Sequence, residues 1–236
     1  MKKREIIDIM YKSAQLFEQN LKNKNLLIIY GNVNLPKIIE TRATDDNFLH
    51  LTGIENVNSS VTPAKFYKNI LDKKISENDF EIKKDGTTEL KLKVLPFLMD
   101  ITKHAKMLGI YNYRRPKLKT DKLIGNITAS LGFIKTGHYY SPNTVLNGDI
   151  RDDIEKSERV LAILSKDVKE KKYQTIESVA KKIDINLLLP KVAQSVLVDE
   201  DLINLKQHID TSLPPNEKTN IQQKDTYASE KQLWNS

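Results

Sequence analysis

The spacing of apolar residues near the start of the chain predicts an amphipathic helix. Apolar side chains recur every three or four residues, which places them on one helical face; they are Ile6, Met10, Ala14, Phe17 and Leu21. The apolar run 26–30 then ends at Gly31-Asn32, which is typical of a strand followed by a turn. Residues 38–41 and 47–51 predict two further short strands.

The middle of the chain predicts two more helices. Thr62-Pro63 places a capping hydroxyl directly before a proline, which suits the first helical position. A second helix is predicted after Gly86, with Thr87 or Thr88 as its cap. Pro96 lies inside that helix and should kink it, because proline lacks the backbone N–H.

The second half of the chain changes to short extended segments separated by turn residues. Strands are predicted at 109–113, 123–127, 130–135, 159–165 and 173–179, with the last two pairing as a hairpin. Asp184 then caps a helix that runs to Val196. After Ile209 the chain lacks periodicity and is rich in polar residues, which predicts a disordered tail.

This order of elements predicts an α+β fold, with helices packed on a small, mostly antiparallel sheet. We expect a main domain at residues 1–182, a helical appendage at 183–209 and a disordered tail at 210–236. The chain has 236 residues, of which 39% are hydrophobic, and it contains no apolar run of membrane-spanning length and no signal-peptide pattern. The absence of cysteine excludes disulfides and thiolate catalysis, so we expect a protein of the reducing cytoplasm.

The formal charge of +7 fits a polyanionic partner such as RNA, although a lysine-rich surface also serves solubility. Lysines and acids balance within residues 211–236, so the whole excess lies in the first 210 residues. The densest basic run is Arg114-Arg115-Pro116-Lys117. It predicts either a surface that binds a nucleic-acid backbone or an ordinary solvated segment.

The sequence narrows the possible chemistry by elimination. No His-x-x-x-His or His-x-x-x-Asp metal spacing occurs around His50, no acidic cluster surrounds it in sequence, and no serine-hydrolase motif or nucleotide-binding glycine loop occurs. We therefore expect neither a metal nor a cofactor. Metal-free phosphoryl transfer remains, in which a base activates the 2′-hydroxyl of RNA, cations stabilise the transition state and an acid protonates the leaving oxygen.

Three segments carry side chains suited to that reaction. On a strand, His50 and Thr52 would share one face, although a backbone-satisfied histidine and a capping threonine explain the same pattern. The segment 137–144, with Tyr140 and Ser141, suits phosphate binding and base stacking, or ordinary turn structure. Lys166 and Tyr173 flank the last predicted hairpin.

The order of several short motifs along the chain resembles that of the fourth subgroup of the phage-type Barnase–EndoU–Colicin–RelE-like nucleases. The matching residues are Phe48-Leu49-His50-Leu51-Thr52-Gly53-Ile54, Phe66-Tyr67, Lys91 with Leu95, Pro142-Asn143-Thr144 with Asp149-Ile150-Arg151, and Lys166 ahead of Tyr173. The resemblance covers roughly residues 17–179. One departure is Thr144, where many relatives are expected to carry serine.

The resemblance implies a metal-independent ribonuclease of a phage or mobile element that acts as a toxin in conflict systems. It implies that His50 is the general base or acid, that Thr52 and Thr144 bind phosphate, and that Arg151 and Lys166 stabilise the pentavalent charge. The predicted nucleic-acid-binding residues are Arg114, Arg115, Lys117, Tyr140 and Ser141.

Two other functions fit the same sequence. The chain could be a non-catalytic protein that inhibits a host nuclease or immunity complex, with the nuclease-like fold as a scaffold. It could also be a DNA-binding accessory factor that uses the C-terminal helix. The expected partners are therefore RNA and a host or cognate inhibitor protein, with no membrane.

Overall fold

A computed structural model describes residues 1–115, 118–195 and 209. Over these residues the fold is α+β, as predicted, with six α-helices, an eight-stranded sheet and a separate two-stranded sheet. The helices are α1 (Lys3–Asn20), α2 (Asp45–Thr52), α3 (Pro63–Leu71), α4 (Thr87–Leu98), α5 (Ile101–His104) and α6 (Ile185–Ser195), with a 3-10 helix at Ile150–Asp152. The strands are β1 (Lys24–Asn32), β2 (Leu35–Arg42), β3 (Glu55–Asn56), β4 (Phe80–Glu81), β5 (Met107–Ile110), β6 (Lys122–Gly125), β7 (Ala129–Thr136), β8 (Tyr139–Asn147), β9 (Glu158–Asp167) and β10 (Thr175–Val179).

Most of the predicted helices are confirmed. The N-terminal helix buries the predicted apolar face, and the Thr62 side chain accepts the backbone N–H of Lys65 at the start of α3. Helix α4 begins after Gly86, which has a left-handed φ of 76°, rather than after a capping threonine, and Pro96 lies inside it. The predicted end of the last helix at Val196 and the predicted tail lie outside the described residues.

The strand predicted at 47–51 is wrong, because this segment is the helix α2. The Asn47 side chain accepts the Thr44 backbone N–H at 2.7 Å, which stabilises the first turn. Phe48, Leu51 and Thr52 are buried at helical spacing, and Gly53 ends the helix at a left-handed φ of 71°. The capping residues determine that this segment is a helix, because its apolar pattern is too short to distinguish a helix from a strand.

A strand that the sequence did not predict occupies most of segment 137–144. Only Gly137 and His138 form the turn, and Tyr139–Asn147 is the strand β8, which pairs antiparallel with β7. Pro142, which argues against a strand, lies at a register shift where the pairing moves by one residue. The bulge therefore accommodates the missing N–H.

The large sheet closes on itself through its hydrogen-bonded pairs. The order is β1-β2-β8-β7-β6-β5-β9-β10, and β9 also pairs with β1. Seven strands thus form a ring, with β10 added to β9. The sheet is mostly antiparallel, as predicted, with one parallel pair between β2 and β8, but it is larger than the small sheet that the sequence predicted.

The strands β1, β2 and β9 are covered on both faces. The first face carries Leu26, Ile28, Ile39 and Ile163, which belong to the core shared with α1–α4. The second face carries Leu27, Ile29, Ile38 and Leu164, which pack against α6. Alternation along β8 places Tyr140 on the first face and Tyr139 and Ser141 on the second.

Candidate active site

Buried polar side chains form a cluster on the second face, in the part of the sheet built by β9, β1 and β2. Asn25 of β1 lies directly opposite Lys166 of β9 and Arg42 of β2. Glu40 precedes Arg42 by two residues, so both project from the same face. Tyr173, in the connection from β9 to β10, completes the group. We call Asn25, Glu40, Lys166 and Tyr173 the Glu40 cluster.

The Glu40 carboxylate uses its two oxygens differently. Oε1 accepts hydrogen bonds from Asn25 Nδ2 at 2.9 Å and from the Tyr173 hydroxyl, and it lies 3.9 Å from Lys166 Nζ. No residue in the described part of the chain donates a hydrogen bond to Oε2. Within the described part of the chain, both hydrogen-bond donors to this buried carboxylate therefore bind the same oxygen, Oε1.

Lys166 and Tyr173 are held against each other and against Glu40. Lys166 Nζ lies 4.9 Å from the centroid of the Tyr173 ring and donates a hydrogen bond to the Lys171 carbonyl at 3.4 Å. Burial lowers the pKa of Lys166, and the negative charge of Glu40 opposes this effect. Burial and Glu40 raise the pKa of Tyr173, so the phenol stays protonated and acts as a donor to the carboxylate.

Asn25 has an unsatisfied acceptor beside the carboxylate. Its Oδ1 is buried and has no hydrogen-bond partner among the described residues. Buried polar groups in native proteins are nearly always paired, and exceptions often mark binding or catalytic positions. A buried ion pair is also a poor source of stability compared with apolar packing, which again favours a functional role for the cluster.

Less buried groups border the Glu40 cluster along β2 and β8. The Arg42 guanidinium lies 5.8 Å from the centroid of the Tyr139 ring, and both side chains are half-buried. Ser141 is half-buried two residues further along β8, and His138 is exposed at the hairpin tip. Cationic, aromatic and titratable groups therefore lie at the border of the buried carboxylate.

Two of the predicted catalytic residues, His50 and Thr52, lie on α2 and not on a strand. His50 is exposed, and its imidazole makes no hydrogen bond with another described residue. Thr52 is buried, and its hydroxyl donates to the Leu49 carbonyl at 2.7 Å. The alternative explanation for Thr52, a local hydrogen bond at a helix end, therefore accounts for this hydroxyl.

The segment after His50 docks α2 onto α4. Lys91 Nζ donates to the His50 carbonyl at 3.1 Å, and the Thr88 hydroxyl donates to the Gly53 carbonyl at 2.7 Å. A Cβ atom at Gly53 would lie 2.6 Å from Lys91 Cδ. Burial, and to a lesser degree the charge of Lys83, lowers the pKa of Lys91 to about 8. Several residues of the resemblance thus have a structural explanation in this junction.

Thr144 and Arg151 lie elsewhere on the fold. The Thr144 hydroxyl is buried without a described partner, and its methyl group packs over Gly132. Arg151 is exposed and donates through Nε to both oxygens of Asp149, at 3.0 and 3.1 Å. Strand β8 runs roughly 26 Å from Tyr139 to Asn147 at about 3.3 Å per residue, and Arg151 follows beyond its far end in the 3-10 helix. The structure therefore does not gather the five predicted catalytic residues; only Lys166 belongs to the Glu40 cluster, and the predicted roles of the others stay predictions.

The predicted nucleic-acid-binding residues divide into two groups. Arg114 and Arg115 lie beside the 3-10 helix, where Arg115 pairs with Asp153 at 3.0 Å and Arg114 donates to the Asp152 carbonyl at 3.3 Å. Lys117 lies outside the described residues. Tyr140 lies on the first face with Lys122 Nζ 5.7 Å from its ring centroid, and burial raises its pKa. Ser141 alone shares the second face with the Glu40 cluster.

The sequence alone does not identify Glu40, Asn25 and Arg42 as site residues, whereas Tyr139 lies in the segment 137–144 that it does identify. A signal was present, because Glu40 interrupts the apolar run of a predicted strand and such a carboxylate needs a partner when it is buried. The partner Tyr173 is separated from Glu40 by 133 positions. Only the folded sheet shows that they meet.

The described residues contain no group of three or more His, Cys, Asp or Glu side chains that could hold a metal ion. None of the described helices is long and apolar enough to cross a membrane.

Comparison with protein families gives one match. The model of a family described as phage-Barnase-EndoU-ColicinE5/D-RelE like nuclease4 matches residues 9–195. This range includes the whole Glu40 cluster and its border. Searches of curated proteins and of solved structures find no match.

Proposed function

The chain belongs to the phage-Barnase-EndoU-ColicinE5/D-RelE like nuclease4 family, and from this membership we propose that it is a metal-independent endoribonuclease whose reaction centre is the Glu40 cluster. The proposal is based on the different hydrogen bonding of the two oxygens of the Glu40 carboxylate. Oε1 is fixed by Asn25 and Tyr173, whereas Oε2 has no described donor. A general base requires this combination of fixed orientation and one available lone pair.

The proposed reaction uses the 2′-hydroxyl of RNA as the nucleophile. Glu40 Oε2 accepts the proton of the 2′-hydroxyl as the 2′-oxygen bonds to phosphorus. The bond from phosphorus to the 5′-oxygen breaks, and that oxygen takes up a proton. The products are a 2′,3′-cyclic phosphate and a free 5′-hydroxyl.

Two cations suit the charge that develops on phosphorus. Lys166 is held in place by Glu40 and the Tyr173 ring, and Arg42 projects from the same face beside Tyr139. Fixed positive groups in a poorly solvated site stabilise transition-state charge much more effectively than mobile groups in water. Lys166 keeps the role that the resemblance implies, and Arg42 takes the place of Arg151.

We assign the general acid to His138. Its imidazole is exposed at the tip of the β7–β8 hairpin, next to Tyr139, whose ring contacts Arg42. Imidazole is the side chain most often used for proton transfer in enzymes. The test of this role is the cleavage rate of His138→Ala, which should fall while the free energy of unfolding stays that of wild type.

The proposal is tested by incubating labelled RNA with the protein in EDTA and analysing the products. Wild type is expected to give cyclic-phosphate ends, and Glu40→Gln is expected to lose them while keeping its fold by circular dichroism. Glu177→Gln is the matched control, because Glu177 is also hydrogen-bonded within the sheet, to Ser165 at 2.6 Å.

Three outcomes would overturn the proposal. They are the absence of cleavage by wild type at micromolar concentration, full activity of Glu40→Gln, and activity that depends on His50 but not on Glu40. The last result would return the reaction centre to α2. RNA binding without cleavage would instead favour a non-catalytic protein built on a nuclease fold.

A further inference from the structure

A basic cleft lies where β9 changes its neighbour. On one edge β9 pairs with β5 at Glu158 and Arg159, and with β10 from Ala162 onward. Between the segment that precedes β5 and the end of β10 lies a cavity of about 540 Å³. Its floor includes the buried residues Val160 and Leu161.

The charged residues that line this cleft are all cations. Lys103 comes from α5, Lys106 from the connection to β5, Arg159 from β9 and Lys181 from the segment after β10. All four are exposed, and none of the lining residues is acidic. We call these four residues the cleft cations.

Among the described residues, one carboxylate forms an ion pair with a cleft cation. Lys103 pairs with Asp100 at 2.9 Å, whereas Lys106 and Lys181 make no ion pair within the described part of the chain. Arg159 Nη2 donates to the Lys181 carbonyl at 2.6 Å, which holds the two segments together. Burial lowers the pKa of the neighbouring His104; Asp100 opposes this effect, and Lys103 and Lys106 add smaller lowering contributions.

We propose that this cleft binds backbone phosphates of an RNA strand at a distance from the reaction centre. Exposed lysines on several segments suit a flexible polyanion, because each acts as a point charge and no fixed fork geometry is required. A site for a small metabolite is normally more enclosed and more apolar. The chemistry therefore favours a nucleic-acid strand over a free anion.

The spacing along β9 sets the length of RNA that this cleft requires. Arg159 precedes Lys166 by seven residues, which is roughly 20 Å along a bulged strand. A mononucleotide cannot reach both the cleft and the Glu40 cluster, whereas an extended strand of several nucleotides can. The substrate is thus an RNA with an unpaired stretch that extends beyond the scissile bond. This inference rests on the proposed function for the position of the scissile bond, but not for binding itself.

The test measures binding without cleavage. Fluorescence anisotropy would follow a 2′-O-methyl RNA, which lacks the nucleophile, at lengths of about 20 and about 4 nucleotides over a range of salt concentrations. The variant replaces Lys103, Lys106 and Lys181 by Gln and leaves Arg159, because that side chain bonds the backbone. The control replaces Lys65 and Lys68, which are exposed on α3.

The expected result is a loss of affinity for the long RNA in the cleft variant only. Three phosphate contacts at about 0.7 each predict that the slope of log K against log salt becomes shallower by about 2. Binding of the short RNA should change little. An unchanged slope, or equal losses in the cleft and control variants, would overturn the proposal, and so would displacement of the long RNA by inorganic pyrophosphate at equal charge concentration.

This result can be separated from the fate of the proposed function. If the cleft variant binds long RNA weakly while wild type cleaves nothing, the cleft proposal stands and the ribonuclease proposal fails. If wild type cleaves RNA but the slope is the same in both proteins, the reverse holds.

Discussion

The Tyr173 hydroxyl donates a hydrogen bond to Oε1 of Glu40 although 133 positions separate the two residues. Asn25 donates to the same oxygen. Together they fix the carboxylate in one orientation, with Lys166 at 3.9 Å. A carboxylate held in this way can act as a base without reorganising during the reaction.

The first prediction concerns Tyr173→Phe. The substitution removes the phenol but keeps the ring, so the ring contact with Lys166 remains while Glu40 loses a donor. We expect kcat to fall by one to two orders of magnitude with little change in KM, because the phenol orients the base and does not bind RNA. Steady-state kinetics on a short RNA checks the split, and an equal loss in KM would contradict the positioning role.

The second prediction concerns the buried ion pair. Lys166→Met leaves the Glu40 charge buried without its cation, so the free energy of unfolding should fall by about 3–5 kcal/mol. Adding Glu40→Gln to that variant removes the uncompensated charge, and we expect much of the lost stability to return while activity stays absent. Urea unfolding of the two single variants and the double variant measures this. Strictly additive losses would show that the pair is not coupled.

The third prediction concerns Gly53, which has a φ of 71° and lies against Lys91. Gly53→Ala forces a side chain into the left-handed region and against Lys91 Cδ, so it should destabilise the fold by about 1–3 kcal/mol. Gly86→Ala is the matched control, because Gly86 has a similar φ of 76° but no atom within 4 Å of the added Cβ. A difference in thermal stability between the two variants isolates the steric contribution, and equal losses would exclude it.

The fourth prediction is a pH dependence of stability that originates at Lys91. Its pKa is lowered from 10.5 to about 8 in the folded protein. Between these pH values the unfolded chain binds more protons than the native chain, so the free energy of unfolding rises with pH. In Lys91→Met this contribution is absent, and the rise between about pH 7.5 and about pH 9.5 should be smaller than in wild type. Parallel pH profiles from urea unfolding would contradict the assignment.

The sequence predicts the fold where local patterns are strong. The face of α1, the Thr62-Pro63 start of α3 and the hairpin of β9 with β10 are all confirmed, because periodicity and capping are local properties. The strand predicted at 47–51 is wrong because the eight residues of α2 are too few for apolar spacing to distinguish a helix from a strand, whereas the cap formed by Thr44 and Asn47 specifies a helix. The sequence does not predict strand β8, because a proline such as Pro142 argues against a strand. The strand forms here because Pro142 lies at a bulge.

The site is harder to predict from the sequence than the fold is. Lys166 and its neighbour Tyr173 are visible in the sequence as a group flanking a hairpin, and the structure places them in contact. Glu40 and Asn25 enter the site through the registers of β1 with β2 and with β9, which are long-range pairings that no local pattern specifies. His50 is a candidate from the sequence because it is a histidine in a motif that resembles the family. Its neighbours Thr52 and Gly53 instead make hydrogen bonds at the end of α2 and between α2 and α4.

Single-turnover cleavage of a DNA strand that contains one ribonucleotide measures whether Glu40 activates a 2′-hydroxyl. We expect wild type to cut only after that ribonucleotide and to leave a cyclic phosphate in EDTA, and we expect Glu40→Gln to cut about 10²- to 10⁴-fold more slowly. Cleavage by Glu40→Gln at the wild-type rate, or cleavage of the same strand after the ribose is replaced by deoxyribose, would contradict this expectation.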